Sequence, residues 1–182
     1  MSNIVLGMTI SLDGYANDRN GSVEHLYSDL GDIGDSELMQ GEIRRTGAVL
    51  MGRRAYEMAE GDFTGYEFQV PIFVLTHHPP ASPAAGENDR LSFTFVTDGL
   101  ESAVRQATDA AGERDVTVIG GIDVARQLLR ADLVDELSID IMPVLLGGGT
   151  RLFDEAPAQR ALEKTEVVET GARTGLRFRL PR

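Results

Sequence analysis

Short apolar runs alternate along this chain with stretches of helical periodicity. Asn3–Ile10 (NIVLGMTI) is mostly apolar and predicts a first, central strand. Gly47–Met51 (GAVLM), Val70–Leu75 (VPIFVL), Phe93–Val96 (FTFV) and Asp115–Ile119 (DVTVI) predict four more, with Pro71 tolerable at a strand start or on an edge. Glu136–Pro143 (ELSIDIMP) alternates and predicts a sixth. Lys164–Thr170 (KTEVVET) and Leu176–Leu180 (LRFRL) alternate cleanly and predict a terminal antiparallel pair.

Four segments carry a helical pattern. Asp35–Thr46 places Leu38, Met39 and Ile43 on one face, and Arg53–Glu60 predicts a short helix after Gly52. Leu100, Ala103, Val104, Ala107 and Ala111 line one side of a third helix. Asp123–Ala131 turns Val124, Leu128 and Leu129 inward. Eight strands and four helices, alternating early and strand-rich at the end, predict an α/β fold of three layers. The sheet is mixed and mostly parallel, with helices on both faces, in one domain over residues 1–182. Ser11–Asn20, Thr76–Ser92 and Gly147–Gly149 fall between these elements as a turn-rich segment, a surface loop and a glycine turn.

Composition narrows the function. The chain of 182 residues suits one domain with a real core, and none of its apolar runs approaches the ~20 residues of a transmembrane helix. The start lacks the basic and apolar regions of a signal peptide. There is no cysteine, which excludes disulfides and thiolate chemistry and fits a cytoplasmic protein. The net charge of −12, with basic pairs only at Arg44-Arg45 and Arg53-Arg54, argues against nucleic acid and against membrane surfaces. A small phosphorylated ligand remains compatible where positive charge is concentrated.

Two strand–glycine–helix junctions concentrate the right chemistry. In VTVIGGIDVARQLL, Gly120 and Gly121 allow close backbone approach, and the unpaired N–H groups at the start of the following helix favour phosphate. The alternative is a tight turn without a ligand. In VLMGRRAYE, Gly52 is followed by Arg53 and Arg54 in a first turn, against the helix-dipole preference for acids. An anion resolves that conflict; so does a solvated arginine pair beside Glu57 and Glu60. Thr76-His77-His78 follows a strand and suits a nucleotide-lining loop or plain solvent better than a metal, so no metal site is expected. In LLGGGTRLF, Gly148, Thr150 and Arg151 offer a second phosphate or substrate cradle, or a turn. Asp13-Gly14 is a turn in which Asp13 binds substrate or only shapes the chain.

Taken in order, MTISLDGYA, VLMGRRAYE, IFVLTHHP, VTVIGGIDVARQLL and VLLGGGTRLF resemble the dihydrofolate-reductase-like superfamily over nearly the whole chain. Within it the chain is most similar to the reductase domain of the bifunctional riboflavin-biosynthesis deaminase–reductase. The resemblance implies an eight-stranded mixed sheet, NADPH as cofactor and a homodimer. It implies that Gly52, Arg53 and Arg54 hold cofactor phosphates, with Arg53 or Arg54 at the 2′-phosphate. Thr76 and His77 would lie beside the adenine ribose, and Gly120, Gly121, Ile122 and Asp123 under the pyrophosphate. Thr9, Ile10, Ser11 and Asp13 would line nicotinamide and substrate.

The chain departs from the family pattern in three ways. Ala55 stands where relatives often carry threonine. Only Ser36 and Glu37 offer a match to the carboxylate of folate reductases. Tryptophan is absent. The expected activity is hydride transfer from NADPH to a small polar heterocycle. Its reference reaction is reduction of 5-amino-6-(5-phosphoribosylamino)uracil, with Asp13 or water as the proton donor. The rivals are a dihydrofolate or pterin reductase that relies on Glu37, and a nucleotide-binding or regulatory module without turnover.

Overall fold

A computed structural model describes residues 2–29, 31, 34, 36–153 and 159–181. Asp35, where the sequence pattern starts the first helix, lies outside them. Among the described residues, ten strands and four α-helices follow in the order β1 (Ile4–Ser11), β2 (Tyr15–Asn17), α1 (Glu37–Arg45), β3 (Thr46–Gly52), α2 (Arg53–Glu57), β4 (Ile72–Leu75), β5 (Phe93–Val96), α3 (Leu100–Ala111), β6 (Asp115–Ile119), α4 (Ile122–Arg130), β7 (Glu136–Met142), β8 (Thr150–Arg151), β9 (Glu163–Thr170) and β10 (Arg173–Arg179). All eight expected strands join one sheet in the order β5-β4-β3-β6-β1-β7-β10-β9. Only β10 runs against its neighbours, so the sheet is mixed and mostly parallel, as expected.

The continuous apolar run of β3 follows from burial on both faces. Ala48 and Leu50 join Leu6, Met8 and Val118 in one core, capped by Leu100, Ala103 and Ala107 of α3 and Val124, Ala125 and Leu128 of α4. Val49 and Met51 join Ile72 and Val74 in the other, beneath Tyr56 of α2 and Met39 and Ile43 of α1. Helix α1 begins where the Ser36 hydroxyl accepts the Met39 N–H at 3.2 Å. It passes without a loop into β3, and the Thr46 hydroxyl closes the junction by donating to the Glu42 carbonyl at 2.7 Å.

Helix α2 is shorter than its pattern, ending at Glu57 where Arg53–Glu60 was expected. Glu60 has a positive φ of 51°, which no helix continues through. The 76–92 loop is partly buried rather than wholly surface. Ala84 donates its N–H to the Tyr56 hydroxyl at 2.6 Å, and Leu91 is fully enclosed.

Candidate active site

The strand order creates a crevice. β3 and β6 are parallel neighbours, yet the chain leaves β3 through α2 toward β4 and leaves β6 through α4 toward β7, on opposite faces of the sheet. Ligands of open α/β sheets bind at such a switch point, outside the carboxyl ends of the strands. Both glycine junctions sit there, side by side. Gly120 and Gly121 have φ of +67° and +80°. A Cβ on Gly121 would stand 2.7 Å from the Gly52 backbone nitrogen, and one on Gly120 would stand 2.7 Å from the Ala55 Cβ. These glycines therefore admit the other junction before they admit any ligand. Helix α4 has no side-chain cap at Gly121, and its first internal backbone bond is Ala125 N–H to the Gly121 carbonyl. The N–H groups of Ile122 and Asp123 thus open onto the crevice without intrahelical partners.

One strand further out, a cavity of about 80 Å³ is walled by Arg53, Tyr56, Glu57, Thr76, His78 and Phe95, among others. Arg53 and Thr76 line one cavity together; His78 lines it and His77 does not. The Thr76 hydroxyl closes its own turn, accepting the His78 N–H at 3.1 Å and donating to the His78 carbonyl at 3.2 Å. Arg53 Nε lies 3.6 Å from Glu57 Oε1, one helical turn on, which answers the dipole conflict with a carboxylate from the chain itself. Arg54 is exposed.

The mouth of β1 differs from expectation. Ile10 is buried in the core beneath α3 and α4. Thr9 is buried and accepts from Arg173 at 3.3 Å. The Ser11 hydroxyl donates to Asp13 at 2.6 Å and accepts the Tyr15 N–H at 2.9 Å. Asp13 also accepts the N–H groups of Leu146 at 3.1 Å and Gly147 at 2.8 Å. The Ser11 bond, opposed by slight desolvation and reinforced by the two amides, lowers its pKa from 3.8 to about 2. Such a carboxylate is ionised and fully engaged at neutral pH, so Asp13 does not fit the role of proton donor. It ties the turn after β1 to the loop after β7.

The triple-glycine loop is a packing device too. A Cβ on Gly148 would stand 2.3 Å from Arg19 Nε, and one on Gly149 would stand 1.9 Å from the Asn17 carbonyl oxygen. Thr150 donates its N–H to the Asn17 side chain at 2.9 Å, and β8 pairs with β2. Arg151 donates to the Asp13 carbonyl at 2.9 Å and lies 4.4 Å over the Tyr15 ring. Gly148 and Thr150 therefore pack against and pair with the 13–19 segment. Glu37 stands apart from all of these. It is exposed on the rim of a second cavity of about 450 Å³, between α1 and the polar side of β7, β9 and β10, which none of Thr9, Ser11 and Asp13 lines.

Sequence reasoning missed one buried network. Arg173, at the start of β10, is 3% exposed. It donates through Nε to Asp29 at 2.9 Å and through a second nitrogen to the other Asp29 oxygen, and it reaches Asp140 at 3.3 Å. Arg177 continues the chain of charges, bonding Asp140 and Glu42 at 2.9 Å each. Arg173 holds the Asp29 pKa below the ordinary carboxylate value despite burial. The available signal was Asp140, a charge on the polar side of the alternating strand ELSIDIM. No group of three or more His, Cys, Asp or Glu side chains suited to a metal occurs among the described residues, and no helix there is long and apolar enough to cross a membrane.

Known proteins share the fold of this chain. A model of the RibD C-terminal domain family matches residues 2–176. Uncharacterized protein YwjB of Bacillus subtilis (strain 168) is 25% identical over 177 residues, 96% of this chain and 95% of its own. A Shewanella sp. PV-4 protein named for riboflavin biosynthesis superposes with a TM-score of 0.79 at 26% identity, over 100% of both chains. Acinetobacter baumannii RibD shares the fold with a TM-score of 0.71 at 17% identity, over 100% of this chain and 59% of its own.

Proposed function

Because this chain belongs to the RibD C-terminal domain family, we propose that it is an NADPH-dependent reductase acting on a small, polar heterocycle. The reference substrate is 5-amino-6-(5-phosphoribosylamino)uracil. The observation that carries the reading is the pairing of two glycine junctions at the β3/β6 switch point, beside a cavity holding an arginine. Thr76, Gly52, Gly120 and Ser11 stand at, or one residue past, the carboxyl ends of four neighbouring strands, β4, β3, β6 and β1. Three strand spacings of about 4.8 Å make roughly 14 Å, the scale of an extended dinucleotide.

The donor set fits the cofactor. The free N–H groups of Ile122 and Asp123 suit the pyrophosphate, and Arg53, with Thr76 and His78 around it, suits a 2′-phosphate. When bound, the dinucleotide supplies the hydride. The chain binds and orients it, and the tie through Asp13 fixes the loops that border the nicotinamide end. With Asp13 held as an anion, water is the proton donor in this reading.

Titration of purified protein with NADPH tests the proposal. Quenching or enhancement of the reduced nicotinamide fluorescence is expected, followed by its loss on adding a pyrimidine substrate. Absence of any binding overturns the reading. Binding without turnover on any pyrimidine or pterin would favour the nucleotide-binding module. The exposed position of Glu37 counts against a folate-type reductase, which needs a buried acid beside the pterin.

A further inference from the structure

We propose that Glu57 is a specificity-determining residue: it occupies Arg53 when no ligand is bound and sets how strongly a 2′-phosphate is preferred over a 2′-hydroxyl. The inference rests on the cofactor reading above and concerns a residue that reading does not use. Glu57 and Arg53 are four residues apart on α2, so their side chains share one face. Arg53 Nε stands 3.6 Å from Glu57 Oε1, and both side chains line the same cavity of about 80 Å³. That volume is far below the roughly 300–1,000 Å³ of pockets for drug-sized ligands and suits one small ionic group.

An anion entering this cavity meets an arginine that is already paired. The side chains of Arg53 and Glu57 are 49% and 57% exposed, so their contact is weak and exchangeable. Binding becomes an exchange: Arg53 leaves Glu57 for the incoming phosphate, and the Glu57 carboxylate stays beside a doubly charged group. Glu57 therefore lowers affinity for 2′-phosphorylated ligands and leaves 2′-hydroxyl ligands nearly untouched. It also gives Arg53 a counter-charge when the cavity is empty, in a chain whose net charge is −12. The discrimination between NADPH and NADH is then set by the difference between the Arg53 attraction and the Glu57 repulsion, not by Arg53 alone.

Calorimetric titration with 2′,5′-ADP and with 5′-ADP reads this without turnover. E57Q is expected to tighten 2′,5′-ADP by about three- to tenfold and to change 5′-ADP less than about twofold. E60Q, which removes an exposed charge outside the cavity, is the control and is expected to change neither. Equal tightening of both ligands by E57Q, or an unchanged ratio in protein that does bind NADPH, overturns the inference and leaves the cofactor reading standing. Failure of the wild type to bind NADPH, 2′,5′-ADP or 5′-ADP overturns the cofactor reading and the inference with it.

Discussion

Replacing Gly121 by alanine asks whether the two junctions depend on their close approach. Two costs add. An L-residue at φ +80° costs about 1–2 kcal/mol relative to glycine. The new Cβ would stand 2.7 Å from the Gly52 nitrogen and 3.0 Å from the Gly52 Cα. Both are backbone atoms that cannot swing aside, and overpacking of this kind costs about 1–3 kcal/mol. The sum, about 2–5 kcal/mol, is a large part of the ~5–15 kcal/mol that keeps a domain folded. For a chain of this size it lowers Tm by roughly 4–20 °C. Gly21→Ala is the matched control, because Gly21 has φ +81° and nothing within 4 Å. It bears the backbone cost alone, about 1–2 kcal/mol. Urea unfolding and thermal melts of both variants give the difference, which isolates the contact. Equal losses at the two positions would refute the close-approach account.

Three further outcomes follow from the same geometry. Arg173→Met leaves the buried Asp29 without its cation, while Asp140 keeps Arg177, and should cost about 3–5 kcal/mol in urea unfolding. Arg173→Lys should recover only part of it, since the paired bonds to Asp29 need a guanidinium; full rescue by lysine would show that charge alone matters. Asp13 has a folded pKa lowered from 3.8 to about 2, so its contribution is complete above the unfolded value and is lost as pH falls through the folded one. The stability gap between wild type and D13N should therefore be constant near neutrality and close between about pH 4 and pH 2; a gap that persists in acid contradicts the tie. Thr46→Val should destabilise by about 1–3 kcal/mol, because the buried hydroxyl bonds both Thr117 and the Glu42 carbonyl; an unchanged urea midpoint would place that junction's stability elsewhere.

The sheet was legible because its signals are local. GAVLM needs burial on both faces, and KTEVVET and LRFRL read as a terminal antiparallel pair. The small sheet of β2 and β8 was not legible. Its strands have three and two residues, and their partners lie more than 130 positions apart. The same gap explains Gly148 and Gly149. A glycine announces that something comes close, and nothing nearby in the chain says whether it is a phosphate or the Asn17 carbonyl. Thr9, Ser11 and Asp13 were drawn to the ligand for a similar reason. Their polar atoms needed partners, and those partners proved to be Arg173, Tyr15, Leu146 and Gly147. His77 and His78 differ by one position, and only the path of the chain after β4 chooses between them.

By itself the sequence determined the inventory: which segments are strands and helices, where two strands run through glycine into a helix, and that positive charge gathers at Arg53-Arg54. Those properties follow from periodicity and residue chemistry within a dozen positions. Only the tertiary structure decided that β6 lies between β3 and β1, so that Gly52 and Gly121 touch and form one crevice rather than two separate turns. It also decided which polar groups are already satisfied, from Arg173 with Asp29 to Arg53 with Glu57. Hydrogen bonds and ion pairs form between groups that meet in space. In a sheet whose neighbours are rarely consecutive, those meetings are set by strand order, which no local window of sequence contains.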